Sequence, residues 1–582
     1  MSSDLLAPVD VELALGPSSS TVRLGGIRRH HRVRDLTALI GVPSERLAVD
    51  GRVADPGMLL TDALRRGSTL SGAAPGTGAQ PPVPLVELTV LAGPDAGHRI
   101  SLAAGRHVVG RGPTASIRLA DPAIASHHGM IDVSPTGEVS YRDLGVGGPA
   151  HVAGDPPATA GGEGWLAVGQ SMLAVRPLAR PRLAQDAGAG VGPQTRPSTH
   201  DRAKAPRRAG TEGSAPWREV VTRTWVPAAP ASAPIALPTA ADRPAHRPPA
   251  TGLAGAGAAA VVGVVMATVF GQPLMALLAG VGAVVAGVTW AVQAVSANRS
   301  NRRRSAAIEA ERVRFDTQLD TARQAERARR RAEPTIADLL ERCRTRRELW
   351  SAADTNPVLG LGDDHWDPPL DGEATAGLWA AVEQASLLTD VPIRVPLHHR
   401  QIIGICGPIE AAQAVARSLV VQVAAGQGPA TWRVFAAGGP DRVGHGTWNW
   451  IGWLPHHEPA ADADIDTGRV DAGQVTAALG QRRDLIVVLD PDLLRHRTSW
   501  LRRALAEHPS WTVVTLAADP DELPATCTDI VEIGATGANW TRRGDGGTSI
   551  RRITAIGLSH STAAAAARGL AAATDAESAA AH

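Results

Sequence analysis

An uncharged stretch from Leu253 to Val295 constrains this chain more than any other feature. It holds two apolar segments, Leu253–Phe270 and Leu274–Val295, separated by Gly271-Gln272-Pro273. A helix needs roughly 20 apolar residues to cross the ~30 Å hydrocarbon core of a bilayer. The spacing therefore predicts a two-helix transmembrane hairpin over 251–296. The competing fold is a buried helical pair in a soluble protein, but uncharged runs this long are uncommon in soluble cores. Arg243 and Arg247 precede the hairpin, and Arg299, Arg302, Arg303 and Arg304 follow it. Basic flanks stay on the cytoplasmic side, so both termini are expected there, with the chain in the cell membrane. Gly255, Ala259, Gly263 and Ala267 recur every four residues, a spacing that lets helices approach closely in lipid. A composition this rich in Ala and Gly also produces such stripes by chance.

The 582 residues are enough for several domains. With 58 basic and 57 acidic side chains, bulk charge offers no reason to expect nucleic acid as a partner. Cys343, Cys406 and Cys527 lie far apart, which fits a reducing compartment and no disulfide scaffold. No N-terminal signal peptide is evident, since Asp4, Asp10 and Glu12 interrupt the first residues. The single lysine, Lys204, sits in a Pro/Ala/Arg-rich stretch. A phosphate loop needs its own lysine, so the folded parts are expected to be non-enzymatic and to need no cofactor.

Residues 9–72 alternate as strand, strand, helix, strand and turn, an order that resembles a ubiquitin-like β-grasp and implies a docking module. Residues 84–178 carry Gly110-Arg111-Gly112, Ile117-Arg118-Leu119, Asp121-Pro122, His127-His128-Gly129 and Tyr141-Arg142-Asp143. This series resembles a forkhead-associated (FHA) β-sandwich, a family that binds phosphothreonine peptides at loops on one end. The resemblance implies that Gly110 and His128 are structural, Arg111 binds phosphate, and Ser126 stands beside the phosphate-reading Ser position, which here is Ala125. The family's Ser-Thr-Asn-Gly loop reads Val146-Gly147-Gly148-Pro149. A phosphate dianion needs a guanidinium fork plus neutral donors, and part of that set is missing. A remnant phosphopeptide site and a purely structural or protein-docking sandwich both remain open.

Residues 179–250, rich in Pro, Ala, Arg and Ser, predict a disordered linker. Residues 299–350 predict cytoplasmic stalk helices. Ile308, Phe315, Leu319 and Ala322 form a thin apolar stripe on Arg302–Glu333, and Pro334 breaks it before a second helix, Thr335–Leu349. Across 390–575, buried runs Ile402–Cys406, Trp432–Ala436, Leu485–Leu489, Trp511–Leu516 and Ile530–Ile533 alternate with helical patterns, predicting a mostly parallel sheet. Gly407-Pro408 follows the first strand where a phosphate loop would stand, and Leu485–Asp490 ends in an Asp where a magnesium ligand would. Without the lysine the domain is expected to be a degenerate, nucleotide-free α/β NTPase-like fold. Trp448, Trp450 and Trp453 are too costly to expose without use, so they mark a core anchor or a docking surface. His456 and His457 lack a third metal ligand at suitable spacing.

The order of modules resembles the N-terminal half of the FtsK/SpoIIIE-like membrane proteins of type VII secretion. Leu359-Gly360-Leu361-Gly362, Gly404-Ile405-Cys406-Gly407-Pro408 and Trp448–His457 carry that likeness beside the FHA pattern. In the family, P-loop ATPase domains follow this region, and this chain reaches His582 without them. The resemblance implies a non-catalytic, membrane-anchored scaffold or adaptor. Its expected partners are proteins, a separate P-loop motor or secretion-complex subunits, with phosphoproteins as the alternative, and an oligomer is expected. The hairpin would carry the two β-rich modules on a tether and the α/β domain on a stalk.

Overall fold

The structure is a computed structural model. It describes residues 5–6, 8–14, 20–40, 47–50, 52–72, 84–144, 164–178, 219–221, 233–238, 251–270, 273–350, 356–373, 376–438, 447–457, 482–534, 537–544 and 547–575. The chain divides into two compact units, one of Met1–Ala228, Ala332–Asp363 and Asp390–His582, the other of Ala229–Arg331 and Asp364–Thr389.

The first unit begins with a mixed five-stranded sheet, in spatial order Ser20–Leu24, Val9–Ala14, Thr69–Gly72, Leu47–Val49 and Arg52–Val53. Val9 and Val11 alternate inward and bury with Leu47, Leu70 and the Val33 and Leu36 face of helix Val33–Ile40. Two four-stranded sheets follow. One runs Val139–Asp143, Gly129–Val133, Gly105–Gly110, Ile117–Arg118; the other runs Gly164–Val168, Ser171–Pro177, Val86–Ala92, Arg99–Leu102. Their inward residues, among them Leu88, Val109, Ile131 and Leu173, fill one core, as in a face-to-face sandwich.

The largest element is a nine-stranded sheet. In spatial order its strands are Leu387–Arg394, Val358–His365, Gly547–Ala555, Gly537–Gly544, Asp529–Gly534, Gln401–Cys406, Trp511–Ala517, Arg483–Val488 and Trp432–Ala437. The last five are parallel and are the five short apolar runs read from the sequence. The hairpin Gly537–Gly544/Gly547–Ala555 and strand Val358–His365 extend them antiparallel. The hairpin strands carry the paired arginines Arg542-Arg543 and Arg551-Arg552 among their apolar residues, so they hold no continuous apolar run. Gly360 and Gly362 allow close strand approach, since a β-carbon at Gly360 would stand 2.5 Å from the Thr554 carbonyl.

The modules of this unit are docked on one another rather than hung on a tether. In the N-terminal module, the β-carbon position of Gly67 (φ +84°) lies 2.8 Å from the Arg568 carbonyl. Beside it Glu12 pairs with Arg568 at 2.8 Å. The sandwich joins the α/β body through Arg99–Asp338 at 2.7 Å and through Gly93, whose N–H donates to Ala555 at 2.8 Å. Most of 179–250 lies outside the described residues, but two of its segments are strands. Glu219–Val221 pairs with Ala573–Asp575, and Ile235–Ala236 pairs with Leu370–Asp371. These runs are too short to stand out in a Pro/Ala background.

In the second unit, helix Thr251–Phe270 packs along helix Pro273–Arg331; of the intervening turn, Gly271 and Gln272 lie outside the described residues. Val261, Val265, Val281, Val284 and Val288 remain exposed. Among the described residues one helix, the part of Pro273–Arg331 that begins at Gly280, is long and apolar enough to cross a membrane. The expected stalk is not a separate helix. The second apolar segment continues without a break to Arg331, because no Gly or Pro interrupts Val295–Arg304. Phe315 and Leu319 are buried against Leu378, Val382 and Ala385 of helix Ala376–Ser386, so the thin stripe is an intramolecular seam.

The following helix of the first unit spans Ile336–Thr345. Thr335 is its N-cap, in a capping box with Asp338, and Arg346 turns left-handed at its end. It stops short of the expected Leu349.

Candidate functional site

At the loop end of the sandwich, backbone bonds fix where the phosphate-reading positions stand. The Arg111 N–H donates to the Ala125 carbonyl and the Gly112 N–H to the Ser126 carbonyl, each at 3.0 Å. A β-carbon at Gly110 would collide with the same Ser126 carbonyl, so only glycine admits this approach. Arg111 and Ser126 are both exposed, on neighbouring loops. His128 is fully buried; its Nδ1 accepts from the Ala125 N–H at 3.5 Å, and its own N–H donates to Val109 at 2.8 Å. Gly110, Arg111, Ser126 and His128 therefore meet in one constellation. Val146–Pro149 lies outside the described residues.

Two further groupings at this end were given no role from sequence. Thr114 Oγ1 and His127 Nε2 are hydrogen-bonded at 2.7 Å and exposed, which adds a hydroxyl and an imidazole to this loop end. Thr114 falls outside the family motif, which is why no pattern marked it. Below the loops, buried Asp121 accepts from the Ala123 and Gln170 N–H groups at 2.8 and 2.7 Å and from Ser171 Oγ at 2.8 Å. Burial raises its pKa above the ordinary carboxylate range, while those bonds oppose the shift.

The second candidate is the carboxyl end of the parallel strands, where open α/β sheets bind ligands. Gly407 closes the turn between strand Gln401–Cys406 and helix Ile409–Gly426 with φ +127°. Its N–H donates to Ala518 at 3.2 Å, and its β-carbon position lies 2.5 Å from the Ile533 carbonyl. The turn is pinned between two neighbouring strands. Glu410 occupies the helix's first turn. Cys406 is pushed up to about 11, by burial first and then by the Glu532 and Asp519 carboxylates. A turn this tight, with carboxylates near it, is ill-suited to phosphate. Gln170 Nε2 of the sandwich donates to Gly534 at 2.8 Å over the same edge. The space left there, lined by Gly93, Gln170, Ala411 and Ile533, is about 30 Å³, the volume of one water. The Asp490 side chain accepts from the Asp492 N–H at 3.2 Å, a local bond two residues along the chain.

The three tryptophans are not an exposed docking surface. Trp448, Trp450 and Trp453 are buried in and beside the short helical turn Asn449–Trp453, and Trp448 and Trp450 stack at 5.7 Å. Trp453 receives the Arg66 guanidinium at 5.8 Å, so what it docks is this chain's own N-terminal module. His456 Nε2 meets the Gln427 carbonyl at 2.6 Å, and among the described residues no cluster of three or more His, Cys, Asp or Glu is placed to hold a metal.

No family model matches the chain, and no curated protein matches it. Among solved structures, part of it is similar to an FHA domain from Chlamydia trachomatis, 27% identical over 16% of this chain and 99% of that one, TM-score 0.15. A larger part is similar to the cytoplasmic domain of the type VII secretion ATPase EccC of Thermomonospora curvata. There the identity is 15% over 37% of this chain and 30% of that one, TM-score 0.23. A third is the cytoplasmic domain of the sorting-platform protein PscD of P. aeruginosa, 21% identical over 20% and 99%, TM-score 0.13. At these scores the likenesses carry no weight beside the geometry above.

Proposed function

We infer that this chain is a non-catalytic, membrane-anchored adaptor of the type VII secretion kind, presenting docked modules to partner proteins. In this reading the N-terminal module is ubiquitin-like, the sandwich is an FHA domain, the α/β body is a degenerate NTPase fold, and both apolar helices span the membrane with the termini in the cytoplasm. The observation that carries it is the pinned Gly407 turn: where a motor would cradle phosphate, the chain places a backbone clamp, acidic neighbours and a side chain of its own sandwich. The test is ATP hydrolysis by the purified full chain, with Asp490→Ala as comparison. No turnover in either protein is expected, and turnover abolished by Asp490→Ala would overturn the reading. Purification from membranes without any P-loop ATPase partner would count against the secretion role.

A second reading, an FHA adaptor for phosphothreonine peptides, is favoured by one observation. Arg111 and Ser126 are exposed on neighbouring loops, with the bonded Thr114–His127 pair at the same end, which supplies a guanidinium and hydroxyl groups. Binding of a phosphothreonine peptide that collapses in Arg111→Ala supports it, and no measurable binding by the native chain removes it.

A further inference from the structure

The first unit contains a half-open cleft of about 760 Å³ lined by three separate chain segments: 49–69 of the N-terminal module, 344–347 after helix Ile336–Thr345, and 565–569 of helix His560–Ala571. Its walls hold six guanidinium side chains, Arg65, Arg66, Arg344, Arg346, Arg347 and Arg568, against three carboxylates, Asp50, Asp55 and Asp62. Two of those carboxylates are engaged locally: Asp50 accepts from the Thr69 N–H at 2.8 Å and Ser68 Oγ at 3.0 Å, and Asp55 from the Gly57 N–H at 2.9 Å. Glu12 and Glu341 pair with Arg568 and Arg344, so the six guanidiniums exceed the five carboxylates by one charge; Arg65, Arg66 and Arg346 also donate to the Thr61, Gly452 and Gly569 carbonyls.

The charged wall faces an apolar one. Val53 and Met58 line the cleft and are 63% and 41% exposed. Two close backbone approaches shape the cleft. Gly569 brings its helix to the end of Ile336–Thr345, its β-carbon position being 2.6 Å from the Cys343 carbonyl, and Gly67 makes the contact with Arg568 described above.

We propose that this cleft binds a small organic phosphate carrying two or more phosphate charges and an apolar or aromatic part, a nucleoside diphosphate in size and chemistry. Guanidinium forks match phosphate oxygens in pairs, the apolar wall takes the base, and the volume falls within the ~300–1,000 Å³ of small-molecule sites. The site lies away from the Gly407 turn and from Arg111, and it requires no hydrolysis.

The test is calorimetric titration of the full chain in detergent with ADP, AMP and inorganic pyrophosphate. Saturable ADP binding is expected, tighter than both AMP and pyrophosphate. Arg347→Ala, at an exposed side chain, is expected to weaken ADP by roughly 10-fold or more, as loss of a charged hydrogen bond does. Met58→Glu should weaken it too, while Arg111→Ala and Asp490→Ala leave it unchanged. Absence of ADP binding overturns the proposal. So does pyrophosphate binding as tightly as ADP, or ADP binding that is lost in Arg111→Ala or Asp490→Ala instead of Arg347→Ala.

Discussion

A β-carbon on Gly407 would stand 2.5 Å from the carbonyl oxygen of Ile533, on the neighbouring parallel strand. Gly407 also holds a φ of +127° that side-chain-bearing residues rarely adopt. The strand-to-helix turn is therefore a structural clamp rather than an open loop.

Gly407→Ala should accordingly destabilise the α/β body by roughly 2–4 kcal/mol, combining backbone strain with the clash. The control is Gly534→Ala, where the nearest atom to a new β-carbon is the Gly537 carbonyl at an ordinary 3.5 Å. Urea unfolding of both variants checks this, and equal losses would contradict the clamp.

His456 makes stability depend on pH. Burial pushes its pKa down to about 4 from an ordinary 6.5. Above about pH 6.5 neither folded nor unfolded chain protonates it, and its contribution is intact. As pH falls from there toward 4, the unfolded chain takes up a proton that the native one refuses, so stability drops by about 1.4 kcal/mol per pH unit from this group. Denaturation at pH 7.5 and 5.5 should show the loss, with a shallower slope in His456→Gln.

All three thiols should be inert in the native protein. Cys343 and Cys527 are each pushed up to about 12 and Cys406 to about 11, burial being the largest cause in every case, and none forms a disulfide. A thiol reagent at pH 8 should label none of them in the folded chain and all after denaturation, because only an accessible thiolate reacts.

Cutting the chain at a protease site placed within 190–200 should leave the two pieces together through gel filtration. The Glu12–Arg568 and Arg99–Asp338 pairs, Gly93 and the Gln170–Gly534 bond all hold the N-terminal modules on the α/β body. Separate elution at neutral pH and moderate salt would restore the tethered arrangement.

Much of the secondary structure was legible. Val9 and Val11, and Leu88 and Val90, follow strand periodicity and face the cores of their sheets, while Ile402–Cys406, read as a continuous apolar run, is buried on both faces. At the sandwich loops, Gly110, Arg111 and His128 could be placed by motif, whereas Thr114 and His127 came together only through folding. The antiparallel hairpin Gly537–Gly544/Gly547–Ala555 was missed because its Arg- and Thr-bearing face hides the apolar alternation.

By itself the sequence determined the uncharged run 253–295, the missing phosphate-loop lysine and the five buried strands, because these depend on residue type and on spacing along one element. Whether Trp448, Trp450 and Trp453 face a partner or a core was decided by tertiary structure, and so was whether the N-terminal modules hang free. Both depend on close approaches between residues hundreds of positions apart, Arg66 to Trp453 and Gly67 to Arg568. Local pattern carries no information about such contacts: a glycine marks where a backbone can come close, and only the folded chain says which backbone does.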